Sequence, residues 1–378
     1  MIYLDNAATT FLKPPQVYNK ALEAMVSFSA NPGRSGHKTA LAAARIVYNA
    51  RETICDFFGG SDCSNFVFTL NCTDGLNIAI KGLLYAGGHA VTTIYEHNSV
   101  LRPLEFLKQN YNVDYTIVNP SLEGKILSSD IEASLRPDTK LVIVNYISNV
   151  TGVKQDIEAI VKVCKAHSIP LLVDAAQAAG TVKIDLLKLP IDLLCAASHK
   201  GLYGIQGTGI LYVSPDCKLQ PLRHGGTGSH SSSLAQPLEM PDYLESGTCA
   251  TPAIAGLAAG VGFVKDIMEE ILYNELKLAK RLSDGLREFK EVTVYSPIIL
   301  ESGVISFNIG DSDSATVAEI LDQNFDIASR GGVHCAPLVH QYLGTLERGA
   351  VRLSIGMYNT TKEIDYTLKA VKEIIKMN

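Results

Sequence analysis

Between residues 65 and 213, short apolar runs rich in β-formers alternate with helical patterns. The runs cover residues 65–69, 90–94, 115–118, 141–146, 170–174, 193–197 and 209–213, with helical periodicity at 74–85 and 156–166. Apolar strands interleaved with amphipathic helices must be covered on both faces. The pattern therefore predicts an α/β fold with a mostly parallel seven-stranded sheet and helices on either side. Ligands of such sheets sit outside the carboxyl ends of the strands.

The chain has 378 residues, 47% hydrophobic and 19% charged, which suffices for a large core and two domains. The expected division is a large domain at 15–255 and a smaller α/β domain built from 1–14 and 256–378. A long helical stretch starts near Thr251-Pro252 and runs through 277–290. It leads to strands near 292–295, 302–308 and 350–354, and the strand at 2–4 is expected beside them. The serine-rich piece 225–233 reads as a mobile loop.

Formal net charge is −6, with no lysine- or arginine-rich run, so neither nucleic acid nor an anionic membrane is an expected partner. No run of about 18 uninterrupted apolar residues occurs, so no membrane span is expected. The start, Met1-Ile2-Tyr3-Leu4-Asp5-Asn6, lacks a basic region followed by an apolar one. The eight cysteines show no C-x-x-C spacing, which predicts reduced thiols and a cytoplasmic setting. Cys55, Cys164 and Cys195 fall in apolar patterns and are expected in the core.

Ser198-His199-Lys200 follows the last apolar run but one and precedes a glycine-rich stretch, 201–209. A lysine at the end of a buried strand is suited to be a desolvated amine that forms a Schiff base. Asp174 closes another apolar run. A lysine with a strand-end aspartate is the pairing that pyridoxal 5′-phosphate (PLP) requires. The amine holds the aldehyde, and the carboxylate keeps the pyridine nitrogen protonated.

Other residues are more ambiguous. Asn71-Cys72-Thr73-Asp74-Gly75 stands between a strand and a helix and reads either as an ordinary helix cap or as a phosphate cup. His97 follows a strand and either lies on a cofactor ring or makes a structural hydrogen bond. Asn149 and Gln177 carry the same two readings. Arg330-Gly331-Gly332-Val333-His334-Cys335-Ala336-Pro337 reads as a flexible loop whose arginine and histidine could activate the Cys335 thiol, against an unreactive loop cysteine. Arg352 alternates within an apolar strand. It faces either water or a carboxylate that it can clamp with two parallel hydrogen bonds.

Together these pieces resemble the cysteine desulfurases, in the class V aminotransferase group of fold-type I PLP enzymes. The resemblance spans essentially the whole chain. It runs from Tyr3-Leu4-Asp5-Asn6-Ala7-Ala8-Thr9-Thr10 and Asn31-Pro32-Gly33-Arg34-Ser35-Gly36-His37 through Asp174-Ala175-Ala176-Gln177 and Ser198-His199-Lys200 to Gly247-Thr248 and Tyr358-Asn359-Thr360. The Cys335 segment is similar to the SUF-type and selenocysteine-lyase-like branch. The segment Asn98-Ser99-Val100-Leu101-Arg102-Pro103 departs from that branch, which carries a second histidine and a later asparagine there. The pair Gly331-Gly332 also differs slightly.

The resemblance implies a role for each matching position. Lys200 is the Schiff-base lysine, Asp174 the pyridinium partner, Gln177 the contact to the ring hydroxyl, and His97 the residue stacked on the ring. Thr73, Asp74, Ser198 and His199 surround the phosphate. Thr248 reaches the phosphate of the other subunit of a homodimer. Arg352 and Asn149 hold the substrate carboxylate. Lys200 and Cys335 are catalytic, Cys335 as the sulfur acceptor, and His97 relays protons. The implied reaction takes L-cysteine to L-alanine and passes sulfur to an acceptor protein or thiol reductant.

L-selenocysteine is the alternative substrate. An aminotransferase or β-lyase acting on a small amino acid is the runner-up within PLP chemistry, and a non-catalytic scaffold for a sulfur carrier is the alternative outside it. A dinucleotide-binding dehydrogenase is disfavoured, because no G-x-G-x-x-G follows the first strand with an acidic residue about 20 further on.

Overall fold

The computed structural model describes residues 1–33 and 35–377; Arg34, within the 31–37 motif, and Asn378 lie outside the described residues. After the short strand β1 (Ile2–Tyr3) and helices Pro15–Ser27 and Lys38–Phe57, the central sheet begins. Its strands are β2 (Phe66–Thr69), β3 (Gly88–Thr93), β4 (Val113–Val118), β5 (Thr139–Asn145), β6 (Leu171–Asp174), β7 (Leu193–Ala197) and β8 (Gly209–Val213). They lie in the order β2-β8-β7-β6-β5-β3-β4. Strands β4, β3, β5, β6 and β7 are mutually parallel, and β8 runs antiparallel to both of its neighbours.

The inner strands have no polar face because each face meets its own core. Val142, Val144, Val173 and Leu194 pack into the cluster on one side. The alternating Leu141, Ile143, Leu172 and Leu193 pack into the cluster on the other. Period-two alternation is thus spent between two apolar layers, as a doubly covered sheet requires. The order steps outward in both directions from β3 and β5, which opens a crevice at their carboxyl ends.

The C-terminal third forms the antiparallel sheet β12-β10-β9, from β9 (Val292–Val294), β10 (Val304–Ile309) and β12 (Val351–Ser354). Strand β11 (Ile327–Ala328) pairs in parallel with β1 in a separate two-stranded sheet. Leu4, Phe307, Leu353 and Ile374 share one core there. Cys55, Cys164 and Cys195 are buried, as their apolar surroundings predict.

The long helix, Thr251–Arg287, opens with a proline in its first turn and stops short of the expected residue 290. By length and composition it could cross a membrane, although it holds no uninterrupted apolar run of that length. Half of its most apolar window is instead buried inside the protein, and the helix packs on Pro15–Ser27 and Lys38–Phe57.

Glu275, on this helix, is buried and has neither an ion pair nor a hydrogen bond among the described residues. It lines a small cavity shared with Lys200 and Tyr203. Burial pushes its carboxyl from 4.5 up to about 8. The unfolded chain releases this proton near pH 4.5 and the folded chain holds it to about pH 8, so rising pH favours unfolding across that window. Glu275→Gln should therefore raise the melting temperature at pH 8. The gain should correspond to up to a few kcal/mol, at about 1.4 kcal/mol per pH unit crossed, and should fade below pH 5. Thermal melts of both proteins at pH 5 and pH 8 check this; an equal difference at both values would refute it.

Candidate active site

The cavity of interest, about 230 Å³, opens at the carboxyl edge of the central sheet. Strand ends supply most of its wall. Asn145 closes β5, Asp174 closes β6, and Ala197 closes β7 two residues before His199 and three before Lys200. Thr73 comes from the helix after β2, Cys72–Leu84, and His97 from the turn after β3. Arg330, His334 and Arg352 approach from the C-terminal third, and Ala7 and Ala8 from the N-terminal segment.

Asp174 is 2% exposed. The β6–β7 register sets it opposite Cys195, three residues before Ser198. Its Oδ1 accepts the Ala176 N–H at 2.9 Å and faces the Cys72 thiol at 3.7 Å. Burial raises the carboxyl above its ordinary value, while the Ala176 N–H and the Lys200 charge pull it back. Lys200 shows the mirror effect: desolvation lowers its amine, and Asp174 opposes the shift. A lysine held low in this way supplies the neutral amine that addition to an aldehyde needs.

Asn71 caps the helix Cys72–Leu84 by accepting the Asp74 N–H at 2.9 Å. Gly209, the first residue of β8, crosses directly over this start; a Cβ there would lie 2.6 Å from the Asn71 carbonyl carbon. Asp74 does not line the cavity. Its carboxylate accepts the Leu70 N–H at 2.9 Å and grips Arg223 through both oxygens, at 2.6 and 2.9 Å. This corrects the expectation that it surrounds a phosphate, and a carboxylate would in any case repel one.

Thr73 remains at the cavity, and its hydroxyl meets that of Ser99 at 2.8 Å. Nearby, Ser198 Oγ and His199 Nδ1 are buried without partners among the described residues. A helix start, a threonine and two orphaned polar atoms fit an anionic group such as a phosphate, since buried polar groups are otherwise paired.

His97 caps the helix Asn98–Asn110 and lines the cavity. Desolvation, then the charge of Lys200, lower its ring from 6.5 to about 4, so it is neutral at physiological pH. Gln177 donates to the Ala7 carbonyl at 2.9 Å and keeps its oxygen for another partner.

Arg352 is 1% exposed, so the wet-face reading of its strand fails: both faces of β12 are covered. One terminal nitrogen donates to the Asn149 carbonyl at 3.0 Å and the other to Asp5 at 2.8 Å. Its Nε–H is buried and unpartnered, as is the Asn149 side-chain oxygen.

The Cys335 loop, whose glycines suggest flexibility, is tied down by hydrogen bonds on both sides. Ser314 accepts the Gly332 N–H at 2.9 Å, the Asn149 amide donates to the His334 carbonyl at 2.8 Å, and Asn98 N–H donates to the Cys335 carbonyl at 2.7 Å. Gly331 serves a close approach, for its Cβ would fall 2.3 Å from the Ser314 carbonyl oxygen. His334 and Cys335 both take left-handed φ, 49° and 58°, an uncommon conformation for side-chain-bearing residues that the surrounding bonds hold in place. The thiol does not line the cavity. It lies 4.0 Å from the guanidinium of Arg330, which does.

Of the residues proposed from sequence, Thr73, His97, Asn149, Asp174, Gln177, His199, Lys200 and Arg352 converge on this one cavity. Ser198 lies buried beside it, and Cys335 stands behind Arg330. Thr248 is elsewhere, bonded to Asn31 at 3.0 Å and lining a separate groove. Ser99, Asn145 and the thiol of Cys72 escaped the sequence reading. Only Asn145, last polar residue of an apolar run, carried a local signal.

The family described as Aminotransferase class-V matches residues 2–367. A protein of Pyrococcus abyssi named probable cysteine desulfurase is 33% identical over 386 residues, covering 100% of this chain and 94% of its own. Cysteine desulfurase IscS of Mannheimia succiniciproducens is 33% identical over 395 residues, covering 99% and 93%. Among solved structures, the apo cysteine desulfurase of Thermococcus onnurineus superposes with a TM-score of 0.93 at 34% identity, over 100% of this chain and 95% of that one. With the match to nearly its full length, the chain belongs to the class V aminotransferase family, alongside proteins named cysteine desulfurases.

Proposed function

We propose that this protein is a PLP-dependent cysteine desulfurase, acting on L-cysteine to release L-alanine and carrying the sulfur as a persulfide on Cys335. The observation that carries the reading is the convergence of the desolvated Lys200 amine, the buried Asp174 carboxyl and the Arg352 guanidinium on one cavity, with the Cys335 thiol held at Arg330 beside it. The relatives named cysteine desulfurases support it.

PLP bound here would supply an electron sink for the bonds around the amino-acid Cα. Thr73, Ser198, His199 and the helix start would hold its phosphate, Asp174 its ring nitrogen, and Gln177 its hydroxyl. Arg352 offers its Nε–H, and Asn149 its side chain, to the substrate carboxylate. Lys200, its amine lowered by burial, can take the Cα proton as a neutral base and return it from the resulting ammonium. The Cys335 thiolate then attacks the substrate sulfur. An S–S bond forms as the C–S bond breaks, and the electron pair stays with the carbon fragment, which takes a proton to become alanine. An acceptor protein or thiol reductant removes the persulfide sulfur.

The same proposal includes a homodimer, in which Thr248, remote from its own chain's cavity, faces the partner copy's phosphate. It also includes a cytoplasmic setting and the SUF-type character of the Cys335 segment.

Purified protein loaded with PLP and given L-cysteine should form alanine and sulfide. Lys200→Ala should remove alanine formation by on the order of a thousandfold or more. Cys335→Ala should abolish the persulfide detected on that peptide and the activity with cysteine. Alanine formation by Lys200→Ala at the wild-type rate would overturn the assignment. Amino transfer to pyruvate or 2-oxoglutarate, with Cys335→Ala fully active, would favour an aminotransferase. Retained activity of Cys335→Ala on L-selenocysteine alone would favour a selenocysteine lyase.

Because His97 is already neutral above about pH 4, it should contribute no inflection to kcat/KM from about pH 5.5 to 8. Profiles of wild type and His97→Gln should differ in height and not in shape over that range. An inflection near 6.5 that His97→Gln removes would contradict this.

A further inference from the structure

His97 meets Ser99 twice. The Ser99 backbone N–H donates to His97 Nδ1 at 3.0 Å, and the Ser99 hydroxyl lies 2.8 Å from the same nitrogen. A backbone N–H can only donate, so Nδ1 must present its lone pair and the proton of the neutral ring must sit on Nε2. The Ser99 hydroxyl is itself held by Thr73 Oγ1 at 2.8 Å. Either direction of that hydroxyl pair leaves Nδ1 as an acceptor, because the backbone donor does not change. Ser99 is 7% exposed, so water does not replace its hydroxyl readily. Nε2 has no protein partner among the described residues, and the ring lines the cavity.

We propose that Ser99 is a positioning residue, which ties His97 to the Thr73 end of the cavity and locks its ring with Nε2–H toward bound substrate. His97 then enters the reaction as a hydrogen-bond donor and not as a base. Ser99 in turn couples the ring to the threonine at the helix start where an anion would bind. The neutral state of the ring at physiological pH agrees with this role. The inference rests on the proposed desulfurase reading for its kinetic consequence, but not for the ring geometry itself.

The test uses PLP-loaded protein labelled with 15N-histidine, read by two-bond proton–nitrogen correlation, with His97→Gln identifying the His97 signals. Wild type should show the Nε2–H form. Ser99→Ala keeps the backbone N–H, so the ring should stay in the Nε2–H form, but losing the hydroxyl should shift the His97 nitrogen signals and lower kcat with L-cysteine about tenfold, the scale of one lost hydrogen bond. KM should stay within about twofold, since no direct substrate contact is removed. Ser99→Thr, which keeps the hydroxyl, should restore both readouts.

An Nδ1–H form in wild type would overturn the proposal. So would Ser99→Ala with unchanged His97 nitrogen signals and unchanged kcat. Should wild type fail to act on L-cysteine while the ring is found as Nε2–H, the desulfurase reading fails and the positioning of His97 stands. If Ser99→Ala proves poorly folded by its melting curve, wild type and Ser99→Thr still decide: an Nδ1–H signal in either refutes the lock.

Discussion

The electrostatic coupling of the buried Asp174 carboxyl with the Lys200 amine is the constraint around which this molecule is arranged. Each group alone would be driven to its neutral form by burial, and each is drawn back by the charge of the other. Such a pair stabilises a fold weakly at best, because desolvation offsets most of the attraction. It persists where chemistry needs a poised amine beside a carboxyl. The adjacency of β6 and β7 delivers both groups to one edge, and β8 must run backwards so that Gly209 can pass close over the helix start next to them.

A second layer of the structure holds the C-terminal third against this edge. Asn6 donates to the Ser354 carbonyl at 3.0 Å, and Asn359 donates to the Tyr3 carbonyl at 3.0 Å. The N-terminal and C-terminal motifs thus bind each other. The same region brings Asp5 to Arg352, and Arg352 to the Asn149 carbonyl. Asn149 continues to the turn that carries Cys335. The Arg352 end of the cavity and the Cys335 turn are therefore parts of one hydrogen-bonded assembly.

Much of the site was legible because strand-end positions are marked by a polar residue closing an apolar run. Asp174, Lys200 and His97 stand out this way, and the parallel alternation already places them on one edge. Asp74 misled because its local setting, a first-turn acid, is the same whether it faces a ligand or a distant arginine; Arg223 lies 149 residues away in the chain. Arg352 was ambiguous because alternation in a four-residue strand does not reveal that both faces are covered. The glycines before Cys335 suggested mobility, whereas Gly331 is there to let two backbones touch.

The sequence by itself determined the layered α/β architecture and the sheet edge on which Lys200 and Asp174 both stand. These follow from hydrophobic periodicity and strand-end placement, which are local. Only the tertiary structure decided that Cys335 sits on an anchored turn behind Arg330, that Asp74 serves Arg223, and that Ser99 holds the His97 ring. Those depend on contacts between segments far apart in the chain, and a residue's neighbours in sequence carry no record of them.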